Sequence, residues 1–266
     1  MSDPTAVLAA GALSGRVALV TGGGSGIGRA TALLLARLGA QVIVVGRRVE
    51  NLEETAALAA DGAPADALPI AVMPADIREF EAVDAVLDAA LEQFDRIDLL
   101  VNNAGGQFLA NAETVSPNGF RAVTRLNLDA QWYLTTRVAA RSMIPNRYGK
   151  VVTVTMTPQR GIPGMAHSSA ARAAMESLTQ TLAVEWGQHG IRLVSVAPGI
   201  VHTEAWENYG LDPEGVASSM LLDRLQQPEE VAAVIAFCLS AGGDYITGTT
   251  IIADGGWNLV GPFPMM

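Results

Sequence analysis

The chain has 266 residues, half of them hydrophobic, a net charge of −10, a single cysteine (Cys238) and a single lysine (Lys150). That length holds one large domain or two small ones. The acidic balance argues against nucleic acid, whose phosphates need a basic surface, and one cysteine excludes an internal disulfide and fits a reducing compartment.

Residues 1–13 carry an apolar stretch without a basic leader, so they read as a flexible arm ahead of one domain over 14–266. No apolar run approaches the ~18 residues that span a bilayer. The expectation is a soluble cytoplasmic protein with no membrane partner and no metal site.

The first strand is expected at Val17–Thr21, a short β-branched run. The segment Thr21-Gly22-Gly23-Gly24-Ser25-Gly26-Ile27-Gly28 follows it and opens a helical stretch, Gly26–Leu38. Glycines let a backbone turn tightly against a pyrophosphate. The helix start offers that anion free N–H groups and a positive dipole end. Gly22, Ser25, Gly26, Ile27 and Gly28 are therefore expected to bind a dinucleotide.

A second strand, Gln41–Val45, runs into Arg47 and Arg48, and the first acid after it is Glu50. A site for NAD places an acid near here to hold the ribose hydroxyls. Two guanidinium forks instead suit a 2′-phosphate, so NADP(H) is the expected cofactor. A solvated arginine pair at a helix start is the plain alternative.

Strands are expected next at Ile70–Met73, Leu99–Val101, Val151–Thr155, Leu193–Val196 and Thr250–Ala253. Helices are expected at Phe80–Phe94, Ala130–Met143 and Ser169–Gly187. In the last, Ala171, Met175, Leu178, Leu182 and Trp186 recur at spacings of three and four. Strand–helix alternation implies a parallel sheet covered on both faces. The segment His202–Gln227, with Trp206 and Tyr209, is the least regular and reads as a lid or a surface excursion.

The glycine motif, Asp76-Ile77, Asn102-Asn103-Ala104-Gly105, Asn127 and Pro198-Gly199 stand in the order of the short-chain dehydrogenase/reductase family, and the resemblance runs from about residue 14 to residue 258. It implies a single-domain α/β Rossmann fold with a doubly wound, mostly parallel seven-stranded sheet. It also implies that Asp76 and Ile77 flank adenine and that Asn103, Ala104 and Gly105 support the cofactor. Pro198, Gly199, Ile200 and Thr203 would line its nicotinamide and phosphate side. Asn127 would fix a water or a helix kink beside the active site.

The family carries a Tyr-x-x-x-Lys pair where this chain has Ser168 and Arg172, in the segment His167-Ser168-Ser169-Ala170-Ala171-Arg172. With Lys150 as the only lysine and Asn146 four residues before it, no such pair exists anywhere. That segment, together with Asn102–Phe108 and Glu207–Gly210, resembles the peroxisomal trans-2-enoyl-CoA reductase branch. The related 2,4-dienoyl-CoA reductases also have serine for tyrosine, but keep the lysine.

Reducing a ketone needs prompt protonation of an oxygen, and tyrosine activated by lysine supplies the proton. Reducing a 2-enoyl thioester sends hydride to Cβ, spreads charge onto the thioester oxygen and leaves the proton on Cα. That oxygen needs an oriented donor more than an acid, which a serine hydroxyl can be. Arg172, four residues on, shares the helix face and can reach the nicotinamide ribose as a fixed charge. The structural alternatives are a helix N-cap for Ser168 and a salt bridge for Arg172.

Thr155 lies at the usual spacing for the family's catalytic serine, with Met156 and Thr157 as alternatives. Thr157 matches a substrate-binding position of the dienoyl-CoA enzymes. Gln107, Phe108 and Tyr209 are candidate substrate contacts, and His167 has a structural or rim role.

The sequence thus points to an NADPH-dependent reductase of a 2-enoyl-CoA or similar acyl substrate. The alternatives are an alcohol/carbonyl oxidoreductase with another donor, and an idle NADP(H)-binding protein. The resemblance also implies a homotetramer formed through helices at 120–143 and 168–187, with Ala139, Ala140, Ala173 and Ala174 allowing close approach.

Overall fold

A computed structural model describes residues 3, 8–61, 67–157, 162–204, 212–218 and 220–259. In chain order the elements are β1 (Val17–Thr21), α1 (Gly26–Arg37), β2 (Gln41–Gly46), α2 (Val49–Ala60), β3 (Ala71–Pro74), α3 (Phe80–Phe94) and β4 (Leu99–Asn102). They continue with α4 (Pro117–Thr124), α5 (Ala130–Val138), α6 (Ile144–Asn146), β5 (Gly149–Val154), α7 (Ala166–Trp186) and β6 (Ile191–Pro198), then α8 (Pro213–Ala217), α9 (Pro228–Leu239) and β7 (Thr249–Ala253).

The seven strands form one sheet in the order β3-β2-β1-β4-β5-β6-β7, and every neighbouring pair is parallel. Every residue of β1 and β5 is buried, so these runs show no polar alternation, as expected of strands covered on both faces. On one face Leu34 and Leu35 of α1 meet Val231, Ile235 and Leu239 of α9. On the other, Val83 and Leu87 of α3, Leu134 and Val138 of α5 and Leu182 of α7 form a second core.

The chain winds outward in one direction from β1 to β3 and in the other from β4 to β7. The connections therefore diverge between β1 and β4, and a crevice opens beyond the carboxyl ends of those two strands. The glycine loop and Asn102–Gly106 flank that crevice.

The helix expected at Ala130–Met143 is longer and twice interrupted. Ser116 caps α4, its hydroxyl accepting from Gly119 N–H at 3.0 Å, with Pro117 pre-set for the first turn. A π-helical turn at Arg125–Asp129 joins α4 to α5, and another at Ala139–Met143 joins α5 to α6. Such turns insert a residue without breaking the helix, which periodicity does not reveal.

Two expectations need adjusting. Ala139 is wholly buried inside the subunit, so it offers no surface for helix approach. Within the expected arm, Leu13 is 2% exposed and its N–H donates to Leu38 C=O at 2.9 Å.

Candidate active site

A cavity of about 830 Å³ occupies the crevice, lined by Gly22, Ser25, Gly26, Ile27, Arg47, Arg48, Asp76, Ile77, Asn103, Ala104, Gly105 and Thr203, with Arg29, Asn51, Glu54 and Glu204 among its other walls. Gly22 and Gly26 have φ of +67° and +49°, which glycine adopts without strain. Ser25 precedes α1, and its side chain makes no capping hydrogen bond, so the first-turn N–H groups face the cavity end unspent.

Gly28 lies beneath the wall: a Cβ there would sit 2.1 Å from Gly22 O. Its part is close packing of the loop. Arg29 ties the loop to α2, donating to Gly24 O at 2.6 Å and to Glu54 Oε2 at 2.5 Å.

Thr21 joins the two loops. Its Oγ1 accepts from the N–H groups of Asn103 and Ala104, each at 3.0 Å, and donates to Val101 O at 3.2 Å. Asn103 Nδ2 donates to Thr21 O at 2.9 Å. Arg78 grips Asp76 with Nε at 2.9 Å and Nη2 at 2.5 Å. That grip chiefly, with a smaller contribution from Arg47, holds the Asp76 carboxyl below its ordinary value. Arg47 and Arg48 are exposed and form no ion pair among the described residues.

Ser168 and Arg172 stand on α7 and are buried. Ser168 is inside the helix, so it is no N-cap, and its hydroxyl donates to Gln107 Oε1 at 2.8 Å. Arg172 donates to Val154 O, and its Nη2 rests against Gly105, where a Cβ would be 2.1 Å away. No carboxylate pairs with it among the described residues. Burial without that compensation pushes its guanidinium down to about 10, still cationic at neutral pH.

Asn127, in the first π-helical turn, clamps Gly106 from both sides: its Oδ1 accepts from Gly106 N–H and its Nδ2 donates to Gly106 O, both at 3.0 Å. Gln131, four residues on, donates to Ala104 O at 2.7 Å. Sequence reasoning missed Gln131, although its spacing from Asn127 was a signal. It also missed Thr21 as the hub, which no spacing announces.

His167 is fully buried, edge-on to Phe108 with ring centroids 4.3 Å apart. Its Nδ1 accepts Ser168 N–H at 2.7 Å, which leaves the ring proton on Nε2, where it finds no partner among the described residues. Desolvation lowers its pKa and keeps it neutral.

Thr155, expected as a catalytic hydroxyl, and Thr157 make no hydrogen bond to Ser168 among the described residues. The Thr155 hydroxyl donates to Glu176 Oε1 at 2.9 Å, a carboxyl that burial raises above its ordinary value. Thr157 donates to Pro198 O at 3.1 Å and to Asp254 Oδ2 at 3.2 Å. Pro198, Gly199 and Ile200 close the end of β6. A Cβ on Gly199 would lie 2.9 Å from Asp254 O, and Ile200 O accepts from Gln226 N–H at 2.9 Å; of this group only Thr203 lines the cavity. Tyr209 lies outside the described residues.

A family profile described as Enoyl-(Acyl carrier protein) reductase matches residues 22–258. A Bacillus subtilis protein named as a probable 2,4-dienoyl-CoA reductase is 37% identical over 94% of this chain and 98% of its own. The chain belongs to the short-chain dehydrogenase/reductase family.

A peroxisomal 2,4-dienoyl-CoA reductase of Danio rerio is 34% identical over 96% of this chain and 86% of its own. Among solved structures, a citronellol catabolism dehydrogenase from Pseudomonas aeruginosa PAO1 is 39% identical, with a TM-score of 0.84 over 95% of this chain and 98% of that one. As a member of this family the chain takes a nicotinamide dinucleotide, and the cavity fits one. It has a glycine cradle at the turn, an uncapped helix start for a pyrophosphate and the length to reach from Arg47 to Gly105. Arg172 rests on Gly105, a residue of the cavity wall.

Proposed function

We propose that this protein is an NADPH-dependent reductase of the 2,3 double bond of a 2-enoyl-CoA or similar unsaturated acyl thioester. One observation carries the reading: a buried serine hydroxyl, hydrogen-bonded to no acid among the described residues, sits one helical turn from a buried arginine that meets no carboxylate among them. A lone serine is too weak an acid for carbonyl reduction but a competent donor to a thioester oxygen. The dienoyl-CoA reductase relatives support the same substrate class.

When bound, NADPH supplies the hydride that adds to Cβ. Ser168 then donates to the thioester oxygen as it gains charge, and the Arg172 cation adds a fixed positive field nearby in a desolvated setting. The proton reaches Cα from solvent. Gly22–Ile27 hold the pyrophosphate, Arg47 and Arg48 the 2′-phosphate, Asp76 and Ile77 the adenine, and Asn103–Gly105 with Thr203 the remainder. Gln107 and Phe108 border the acyl group.

The protein is cytoplasmic and tetrameric in this reading. Trp132 (44% exposed) on α5 and Val184 (85% exposed) on α7 support an interface along those helices; a monomer in light scattering would overturn it.

The test is NADPH oxidation by purified protein with a trans-2-enoyl-CoA, run beside a 3-oxoacyl thioester and a terpenoid aldehyde. Oxidation with the enoyl-CoA, abolished by Ser168→Ala, is expected. Turnover of the aldehyde or the 3-oxoacyl thioester instead would favour the carbonyl reading, which the likeness to the citronellol enzyme keeps in view.

A further inference from the structure

A serine hydroxyl has one proton, and the reaction proposed above needs it on the thioester oxygen. In the structure that proton goes elsewhere, to Gln107 Oε1 at 2.8 Å. With it spent there, Ser168 presents only lone pairs to an incoming carbonyl.

A carboxamide carries an acceptor oxygen and a donor NH2 of nearly the same size, and a half-turn of the group exchanges them. Nothing among the described residues hydrogen-bonds the Gln107 NH2 to hold one orientation. The backbone that carries it is fixed. Asn127 clamps Gly106 immediately before it, and Phe108 immediately after it packs on the buried His167 ring.

We propose that Gln107 is the positioning residue of this site: its amide turns to donate through Nε2 to Ser168 Oγ, which frees the serine proton for the substrate oxygen. The inference rests on Ser168 being the donor to an enoyl thioester. It also gives Asn127 a task, to hold the loop from which Gln107 reaches the serine.

The first experiment needs no substrate. In a Ser168→Cys protein the thiolate is followed by its ultraviolet absorbance against pH, with Gln107 intact and with Gln107→Leu. His167, which accepts the residue-168 backbone N–H, and Arg172, one turn along α7, are the nearest titratable groups along the helix and are unchanged in both. Cys238 does not intrude, because burial pushes its thiol to about 11. A donating Gln107 stabilises the thiolate, so Gln107→Leu should raise the thiol pKa by roughly one unit or more. An unchanged or lowered pKa overturns the proposal, even if the enoyl-CoA assay succeeds.

The second experiment uses Gln107→Glu in the enzyme with Ser168. Glutamate keeps the shape but, ionised, can only accept, so it locks the serine proton away. A loss of ~10²-fold in kcat, larger than for Gln107→Leu and recovering as pH falls and the carboxyl protonates, is expected. A space-filling role predicts that glutamate is the milder change at every pH. Silence of the unmodified enzyme with enoyl-CoA would sink the substrate reading, and the thiol titration would still decide whether Gln107 donates.

Discussion

Two buried cations lie at opposite ends of β5, and they are solved differently. At its start Lys150, 2% exposed, donates to Asp244 Oδ1 at 2.8 Å, to Cys238 O at 3.5 Å and to Ser240 O. At its end Arg172 gives one hydrogen bond to Val154 O and meets no carboxylate among the described residues. Desolvation still lowers the Lys150 pKa, but a carboxylate and two carbonyls meet its donors, and it acts as a rivet between strand and helix end. A buried cation that meets no carboxylate, and rests on a residue of the cavity wall, is held there at a cost in stability and is a candidate functional group. The cation beside the candidate site is thus an arginine, while the chain's only lysine ties β5 to Asp244 and Ser240.

The sharpest way to break this comparison is to remove both cations. Arg172→Met should lower kcat/KM with the best substrate by ~10²–10³-fold. Its unfolding free energy in urea should stay within about 1 kcal/mol of wild type or rise, because an uncompensated buried charge goes with it. A large loss of stability would make Arg172 a second rivet.

Lys150→Ala should do the reverse, with about 2–4 kcal/mol lost from orphaned carbonyls and a cavity and cofactor affinity unchanged. The pair has a pH signature. Lys150, chiefly, holds the Asp244 carboxyl below its unfolded 3.8. The folded state therefore releases that proton more readily than the unfolded one. The stabilisation is complete above 3.8 and is lost as pH falls through the lower folded value. Lys150→Ala should make the acid decline of the urea midpoint shallower; an identical decline would remove Asp244 from the rivet.

The two ends of β5 were unequally legible in the sequence. The strand runs, α3 and the glycine turn followed from composition and spacing, because burial on both faces forces short apolar runs and a tight turn forces glycine. The family resemblance singled out Ser168 and Arg172. The partners of Lys150 were not legible: Asp244 and Ser240 are some ninety residues away in the chain, and backbone carbonyls leave no mark in a sequence. Nor was the side to which the Thr155 hydroxyl turns, because that depends on Glu176, two turns further along α7 than Ser168. The π-helical turn that aims Asn127 at Gly106 likewise arises from packing.

Arg47 extends the comparison to an exposed cation with no ion pair among the described residues. In solvent such a charge contributes little to stability, so Arg47→Ala should leave the urea midpoint within experimental error. Its Kd for NADPH should rise by roughly tenfold, a charge-assisted contact being worth about 1.5–3 kcal/mol before solvent screening, with NADH little affected. Equal losses for both cofactors would place the 2′-phosphate elsewhere.

The smallest effect is expected where a hydroxyl replaces the cation in the comparison. Thr155 and Ser168 each present a buried hydroxyl within the same face of the sheet, but Thr155 spends its proton on Glu176 and lies close to Val196 O as well. Glu176 is raised by burial and lowered by hydrogen bonds from Thr155 and Thr250. Thr155→Val therefore removes one of two donors to that carboxylate and should raise its pKa further, at about 1 kcal/mol of stability. With this hydroxyl spent on Glu176, kcat should remain within about threefold of wild type. A loss approaching that of Ser168→Ala would mean that the Thr155 side chain rotates from Glu176 to the substrate during turnover, and that the two hydroxyls act as a pair.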